Sequence, residues 1–323
     1  MKTDLIQFDT EQILLHIPHS SDWVPKKYLQ LFYLNDEQLK KELLLMTDRY
    51  TNELFSDPFI PGGNRFIFPY SRLICDVERF RKDEDEIMAA RGMGVCYTST
   101  SSLEQLKTVT PQHREEMLKL YDRHHEKLSE VSGNIVEKYG AALLIDCHAF
   151  SSERLPYELG DEGQRPDICI GTDDFHTPEW LADYLAESFS GRGYDVAFNR
   201  PFSGTLVPME HYRKNPKLLS VMIELNRKLY MDEATGEKTA QFDQVKKDVI
   251  EVIRSLEKPL NFDRFRNRFK SVERFRKAYG KLSYEDVKAL LRAERAPDFI
   301  KAAMMKSWRE ALAEARSFLY DAE

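Results

Sequence analysis

Three hydrophobic runs in this chain each end in residues able to bind a metal or move a proton. Ile13-Leu14-Leu15-His16-Ile17 leads into Pro18-His19-Ser20-Ser21, Ala141–Ile145 leads into Asp146-Cys147-His148, and Val221-Met222-Ile223 leads into Glu224-Leu225-Asn226-Arg227. Two imidazoles and a carboxylate, with a further carboxylate nearby, make up the donor set of a catalytic zinc, whose fourth position holds water. His19 and His148 supply the nitrogens. On an extended strand Asp146 shares a face with His148, where it can accept a hydrogen bond from the ring and orient it, while Cys147 turns away. The third ligand stays open between Asp22, in His19-x-x-Asp22, and Asp48, in Thr47-Asp48-Arg49-Tyr50. A serine nucleophile at Ser20 or Ser21 lacks the Gly-x-Ser-x-Gly turn that would expose it.

These segments lie far apart in sequence, so a fold must bring them together. Short apolar runs at 12–17, 73–77, 141–146, 167–170, 195–199 and 219–225 read as strands. Helical spacing fills the gaps: 36–55 after a capable N-cap at Asn35, Thr110-Pro111 to about Tyr139, 179–190, and 243–256. The alternation predicts an α/β domain around a mixed, mostly parallel sheet flanked by helices. In such sheets ligands bind beyond the carboxyl ends of the strands, which is where the three chemistry-bearing segments point. His124 falls on the apolar stripe of its helix and reads as a core residue.

The chain has 323 residues, 42% of them hydrophobic and 31% charged, with a net charge of −7. That composition suits a folded protein and not a disordered one. Its longest aliphatic stretches fall far short of the roughly 20 residues that span a bilayer. No secretory signal pattern opens the sequence, so a cytoplasmic location is expected. The four cysteines, Cys75, Cys96, Cys147 and Cys169, are too dispersed for a zinc ribbon or a disulfide scaffold and read as reduced and buried. The charge is unevenly divided. Residues 258–323 hold 16 Lys+Arg against 10 Asp+Glu, which leaves residues 1–257 at −13. Two parts are therefore expected, a catalytic α/β domain over 1–257 and a basic helical extension over 258–323. The acidic balance argues against nucleic acid as a partner. The basic extension is expected to dock on its own acidic domain or on a neighbouring subunit, so a homo-oligomer is compatible with the pattern.

Taken in order, His16-Ile17-Pro18-His19-Ser20, Thr47-Asp48 with Leu54-Phe55, Ser71-Arg72 before Asp76-Val77-Glu78-Arg79, Asp146-Cys147-His148, Asn199–Gly204 and Ile223–Asp232 resemble the N-formylglutamate amidohydrolase family. The resemblance implies the fold of the zinc carboxypeptidases and the hydrolysis of N-formyl-L-glutamate to formate and L-glutamate. It implies His19, Asp48 and His148 as ligands of Zn2+, so it favours Asp48 over Asp22, and it matches Glu224 to the general base. Arg79 and then Arg72 become candidates for the substrate carboxylate or the developing oxyanion, because an arginine fork grips both oxygens. Asn199, Gly204 and Arg227 become pocket residues, and His125 matches a tyrosine-histidine element. The sequence departs from the family pattern at Ser21, at Ala149 and at Glu78, where the family often has Asn. An acid beside Arg79 weakens the pull on an anionic substrate. The expected activity is thus zinc-dependent amide hydrolysis of a small anionic N-acyl amino acid. A hydrolase of another N-acyl amino acid or short peptide is one alternative, and a non-catalytic binding member of the fold is another.

Overall fold

The computed structural model describes residues 8–57, 60–160 and 163–256. The expected helical extension over 258–323 lies outside the described residues. Six strands form one sheet, β1 (Ile13–Ile17), β2 (Arg65–Ile67), β3 (Ala142–Phe150), β4 (Ile168–Gly171), β5 (Val196–Phe198) and β6 (Leu218–Asn226). Their order is β2-β1-β3-β6-β4-β5, and every neighbouring pair is parallel except β4 with β6. The mixed, mostly parallel sheet flanked by helices is the architecture expected from the sequence.

The centre of the sheet is the pair β3 and β6, in register from Ala142↔Leu218 to Phe150↔Asn226 and buried along its whole length. Strands covered on both faces read as continuous apolar runs, which is why Leu143-Leu144-Ile145 carries no polar alternation. Alternate side chains still part to opposite faces. Leu15, Ile17, Leu143, Ile145, Val221 and Ile223 pack into one core cluster with α3 (Thr51–Leu54), α5 (Glu179–Ser190) and α6 (Phe242–Ser255). Leu14, Leu144 and Leu218 pack on the other face against Leu128 and Ile135 of α4 (Pro111–Tyr139). His16, Asp146, His148 and Glu224 continue this second set, so the polar residues share a face at the carboxyl ends of three strands.

The helices are bounded by local chemistry. Before α4 the Thr110 hydroxyl accepts the His113 N–H at 3.3 Å, Pro111 fills the first position, and Gly140, at φ 86°, closes the helix. Besides α1 (Lys26–Leu29), the first long helix is α2 (Asp36–Met46), opened by a reciprocal cap between Asn35 and Gln38. Here the structure corrects the sequence reading, which runs one helix over 36–55. The helix stops at Met46, Thr47 is extended, Tyr50 is left-handed at φ 69°, and α3 follows. The interruption is tied down from outside the helix: Asp48 N–H donates to His19 O at 2.9 Å and Tyr50 Oη–H to Gly236 O at 2.8 Å.

A second correction concerns residues 73–77, expected as a strand. They are fully buried but form turns, with Ile74 N–H bonded to Ser71 O at 2.9 Å and Asp76 N–H to Val95 O at 2.9 Å. An apolar run marks burial, and burial alone does not impose an extended backbone. Among the described residues no helix is long and apolar enough to cross a membrane.

Candidate active site

β1 delivers His19 two residues past its end, and β3 delivers His148 from within the strand, which continues to Phe150. The break between α2 and α3 delivers Asp48. Ring centroids of His19 and His148 are 5.0 Å apart, and one donor atom from each of His19, Asp48 and His148 lies within 4.8 Å of the others. Asp48 Oδ2 is 3.6 Å from His19 Nδ1 and 3.2 Å from His148 Nδ1. Neighbouring ligands of a tetrahedral zinc stand roughly 3.3 Å apart, given metal–ligand bonds near 2.0–2.1 Å. The set therefore fits a zinc ion, and one further observation supports the fit. His19 Nδ1 is buried with no hydrogen-bond partner, although the ring's other nitrogen is satisfied.

Each outer nitrogen faces a carboxylate, the arrangement that fixes a ligand imidazole's tautomer and raises its basicity. His19 Nε2 lies 2.8 Å from Asp76 Oδ1 and His148 Nε2 lies 3.0 Å from Asp146 Oδ1. Asp76 is itself saturated. Its Oδ2 accepts from Arg72 Nη2 at 2.8 Å and from Tyr97 Oη–H at 2.6 Å, its Oδ1 accepts the Glu78 N–H at 2.9 Å, and Arg79 Nε stands 3.5 Å away. Burial raises the pKa of such a carboxyl, but Arg72, His19 and Arg79 outweigh it and hold Asp76 well below the usual range. Asp48 behaves alike: against burial, His148, His19 and Arg227 keep it ionised. Burial also opposes charge on His148, yet Asp146 and Asp48 hold its pKa well above the ordinary imidazole value.

Beneath this set is a second cluster of His16, Glu78 and Asp146. Its ring nitrogen Nδ1 lies 2.9 Å from Asp146 Oδ1 and 3.0 Å from Glu78 Oε1. Burial works against a charged His16, but the two acids push its pKa up to about 9. The positive charge that the acids require is thus supplied by a proton on the ring. His16 Nε2–H then points at His124 Nε2, 2.8 Å away, whose own pKa is held low by burial and by His16.

Glu224 pairs with His148 across the strands and is buried, and its Oε2 has no hydrogen-bond partner. Burial pushes its pKa up to about 8; His148 opposes the rise, and Asp48 and Asp146 add to it. His19, Asp48, His148 and Glu224 all line a cavity of about 490 Å³, within the usual range for a small-molecule site.

The family model of N-formylglutamate amidohydrolases matches residues 11–231. The chain belongs to that family. As an N-formylglutamate amidohydrolase family member it is a hydrolase acting on an amide. Two solved structures share the fold. An N-formylglutamate amidohydrolase from Ralstonia eutropha JMP134 is 19% identical, with a TM-score of 0.65 over 76% of this chain and 93% of the other. A gene product from Agrobacterium tumefaciens is 19% identical, with a TM-score of 0.53 over 77% and 95%. At that identity both speak for the fold alone. No curated protein matches the sequence significantly.

Within this family member the residues singled out from the sequence are placed as follows. Arg72, Arg79, Gly204 and Arg227 line the cavity with the ligand set and Glu224. Arg227 turns inward, with Nη2 3.0 Å from Asp48 Oδ1 and Nη1 2.6 Å from Leu45 O. Asn199 is not among the lining residues. Its Oδ1 accepts from Thr172 N–H at 2.9 Å and from Gly204 N–H at 3.3 Å, so it braces the loop that carries Gly204. Asp22 is exposed and pairs with Arg49 at 3.6 Å. His125 bonds Val77 O at 2.8 Å through Nε2. Sequence reasoning gave no role to His16, Asp76 or Tyr97. Asp76 could have been found as the acid of the Asp76–Arg79 element, whereas Tyr97 carries no sequence signal.

Proposed function

We propose that this chain is a zinc-dependent hydrolase of N-acyl amino acids of the N-formylglutamate type. In this reading His19, Asp48 and His148 hold the ion, Glu224 is the general base, and Arg79 with Arg72 receives the substrate carboxylate. The observation that carries it is the meeting of two partnerless buried atoms, His19 Nδ1 and Glu224 Oε2, with Asp48 and His148 at the wall of one cavity. A buried polar atom left without a partner is costly, and a site whose occupant is a ligand accounts for two at once.

Held by His19, Asp48 and His148, a zinc ion would supply Lewis-acid polarisation of the scissile carbonyl and a lowered pKa for water. Glu224 would take up a proton at Oε2 from the attacking water and pass it to the leaving nitrogen. The new carbon–oxygen bond and the broken carbon–nitrogen bond leave a carboxylic acid and an amine. A carboxyl whose pKa lies near neutrality is matched to both halves of that transfer. Asp76 and Asp146 engage the outer ring nitrogens, so that Nδ1 of each histidine faces Asp48, where the ion would sit. Four buried, unpaired cysteines fit the reducing cytoplasm in which we place the enzyme.

The test is hydrolysis of N-acyl amino acids by protein stripped with chelator and reloaded with zinc. Activity that disappears on stripping and returns in proportion to bound zinc, at one ion per chain, is the expected result. Full activity in the stripped protein, or zinc binding without hydrolysis of any N-acyl amino acid, overturns the reading.

A further inference from the structure

Among the described residues, the cavity wall carries six acidic side chains, three arginines and no lysine. The arginines are all engaged with buried aspartates: Arg72 with Asp76 at 2.8 Å, Arg79 with Asp76 at 3.5 Å, and Arg227 with Asp48 at 3.0 Å. Two guanidinium groups sharing Asp76 leave one net positive charge, enough for one carboxylate. Arg227 and Asp48 cancel. The remaining acids bring no further arginine or lysine to the wall: Asp146 holds His16 and His148 at 2.9 and 3.0 Å, Glu78 faces His16 at 3.0 Å, Glu224 Oε2 has no partner, and the partners of Glu158 and Asp173, Arg165 and Arg213, are not among the lining residues.

The wall also carries large apolar side chains. Phe80, Leu159 and Met209 line the cavity and stand 48%, 44% and 56% exposed. Large apolar side chains left exposed on the wall of a cavity offer surface that a ligand can cover. A second carboxylate entering here would leave water for a wall that offers no unengaged cation, whereas an aliphatic side chain would gain by covering the same residues.

We infer that the substrate carries one carboxylate and an apolar side chain: it is an N-acyl amino acid of the leucine or methionine kind, held by Arg72 and Arg79 at the carboxylate and by Phe80, Leu159 and Met209 along the side chain. The inference rests on the hydrolase reading above and alters only the side chain that the enzyme selects.

The experiment compares N-formyl-L-leucine with N-formyl-L-glutamate on the zinc-loaded full chain. A change of a single methylene in an apolar pocket is worth about 10- to 200-fold in specificity, so kcat/KM is expected to favour the leucine compound by about tenfold or more. Equal or better turnover of the glutamate compound overturns this inference and leaves the hydrolase reading standing. Hydrolysis of neither overturns this inference, and the hydrolase reading falls with it when no other N-acyl amino acid is hydrolysed. Met209→Lys, at an exposed position, supplies the cation that the wall lacks and is expected to move the ratio about tenfold toward glutamate; an unchanged ratio refutes the placement of the side chain. The same order is read without turnover from calorimetric binding of the two compounds to the Glu224→Gln protein, where tighter binding of N-formyl-L-glutamate counts against the proposal.

Discussion

Replacing Asp76 with Asn separates what holds the proposed metal site from what would perform the reaction. Asp76 is fully buried and takes no part in the chemistry, yet it is bonded to His19, Arg72, Tyr97 and the Glu78 backbone. Asparagine keeps the shape and loses the charge, and neither orientation of its amide satisfies the site. With the NH2 group toward His19, the imidazole must accept at Nε2, which moves its proton to Nδ1 and blocks that nitrogen as a ligand. With the oxygen toward His19, the NH2 group meets the Arg72 guanidinium and Tyr97 Oη. In both cases Arg72 and Arg79 lose the anion that offsets their burial. Removing one partner of a buried ion pair costs about 3–5 kcal/mol, and losing an outer-shell partner costs about 10- to 100-fold in metal affinity. Urea unfolding of the metal-free proteins reads the first, and competition against a chromophoric chelator reads the second. Zinc affinity within twofold of the wild type refutes the orienting role of Asp76, even if the variant is less stable. An unchanged unfolding free energy refutes the argument about its arginines.

Three further outcomes follow from the same geometry. Asp48→Ala is expected to abolish zinc retention and Asp22→Ala to preserve it, as measured by metal content after dialysis; loss of zinc only in the second reverses the ligand assignment. Glu224→Gln is expected to retain zinc and lose about 10²- to 10⁴-fold in kcat, and undiminished turnover removes Glu224 from the role of base. Lys107 is buried and hydrogen-bonded to Leu73 O, and burial lowers its pKa to about 8. Below pH 8 the lysine is charged in both folded and unfolded chains and the burial cost is fully present; between about pH 8 and 10.5 the folded chain releases its proton first, so stability rises by on the order of 3 kcal/mol. Cys75 and Cys96, whose thiol pKa values burial raises, oppose this above about pH 9, so the comparison to make is wild type against Lys107→Met. A difference in unfolding free energy between the two that does not change with pH refutes the buried charge.

The sheet was legible because parallel strands covered on both faces announce themselves as apolar runs, and because such strands end in the residues that face a ligand. His19, His148 and Glu224 came from that logic. Asp48 did not, since its placement depends on a break in a sequence whose apolar spacing continues without interruption from Leu39 to Leu54. The break is held by His19 O, Gly236 O and Arg227, contacts made by segments distant in the chain. Propensity yields to such tertiary contacts, and periodicity alone does not foresee them. The same holds for 73–77, where burial without sheet pairing looked like a strand, and for β2, an edge strand too short and too exposed to show a pattern.

The site then divides by hydrogen bonding into a fixed network and the groups outside it. From Arg227 through Asp48, His148 and Asp146 to His16, and from His19 through Asp76 to Arg72, carboxylates alternate with arginine or imidazole groups and each is held by the next. A buried network of this kind leaves little freedom, because displacing one member strands another without a partner. Glu224 is bonded to nothing at Oε2, which is the condition that the proton transfer proposed for it requires. Phe80, Leu159 and Met209 stand outside the network, at the solvent edge, where a substitution costs the fold little. On the proposed reading, selection among acylated amino acids could change at those three positions without disturbing the proposed ligands, and this is why Met209→Lys tests specificity while Asp76→Asn tests the site itself.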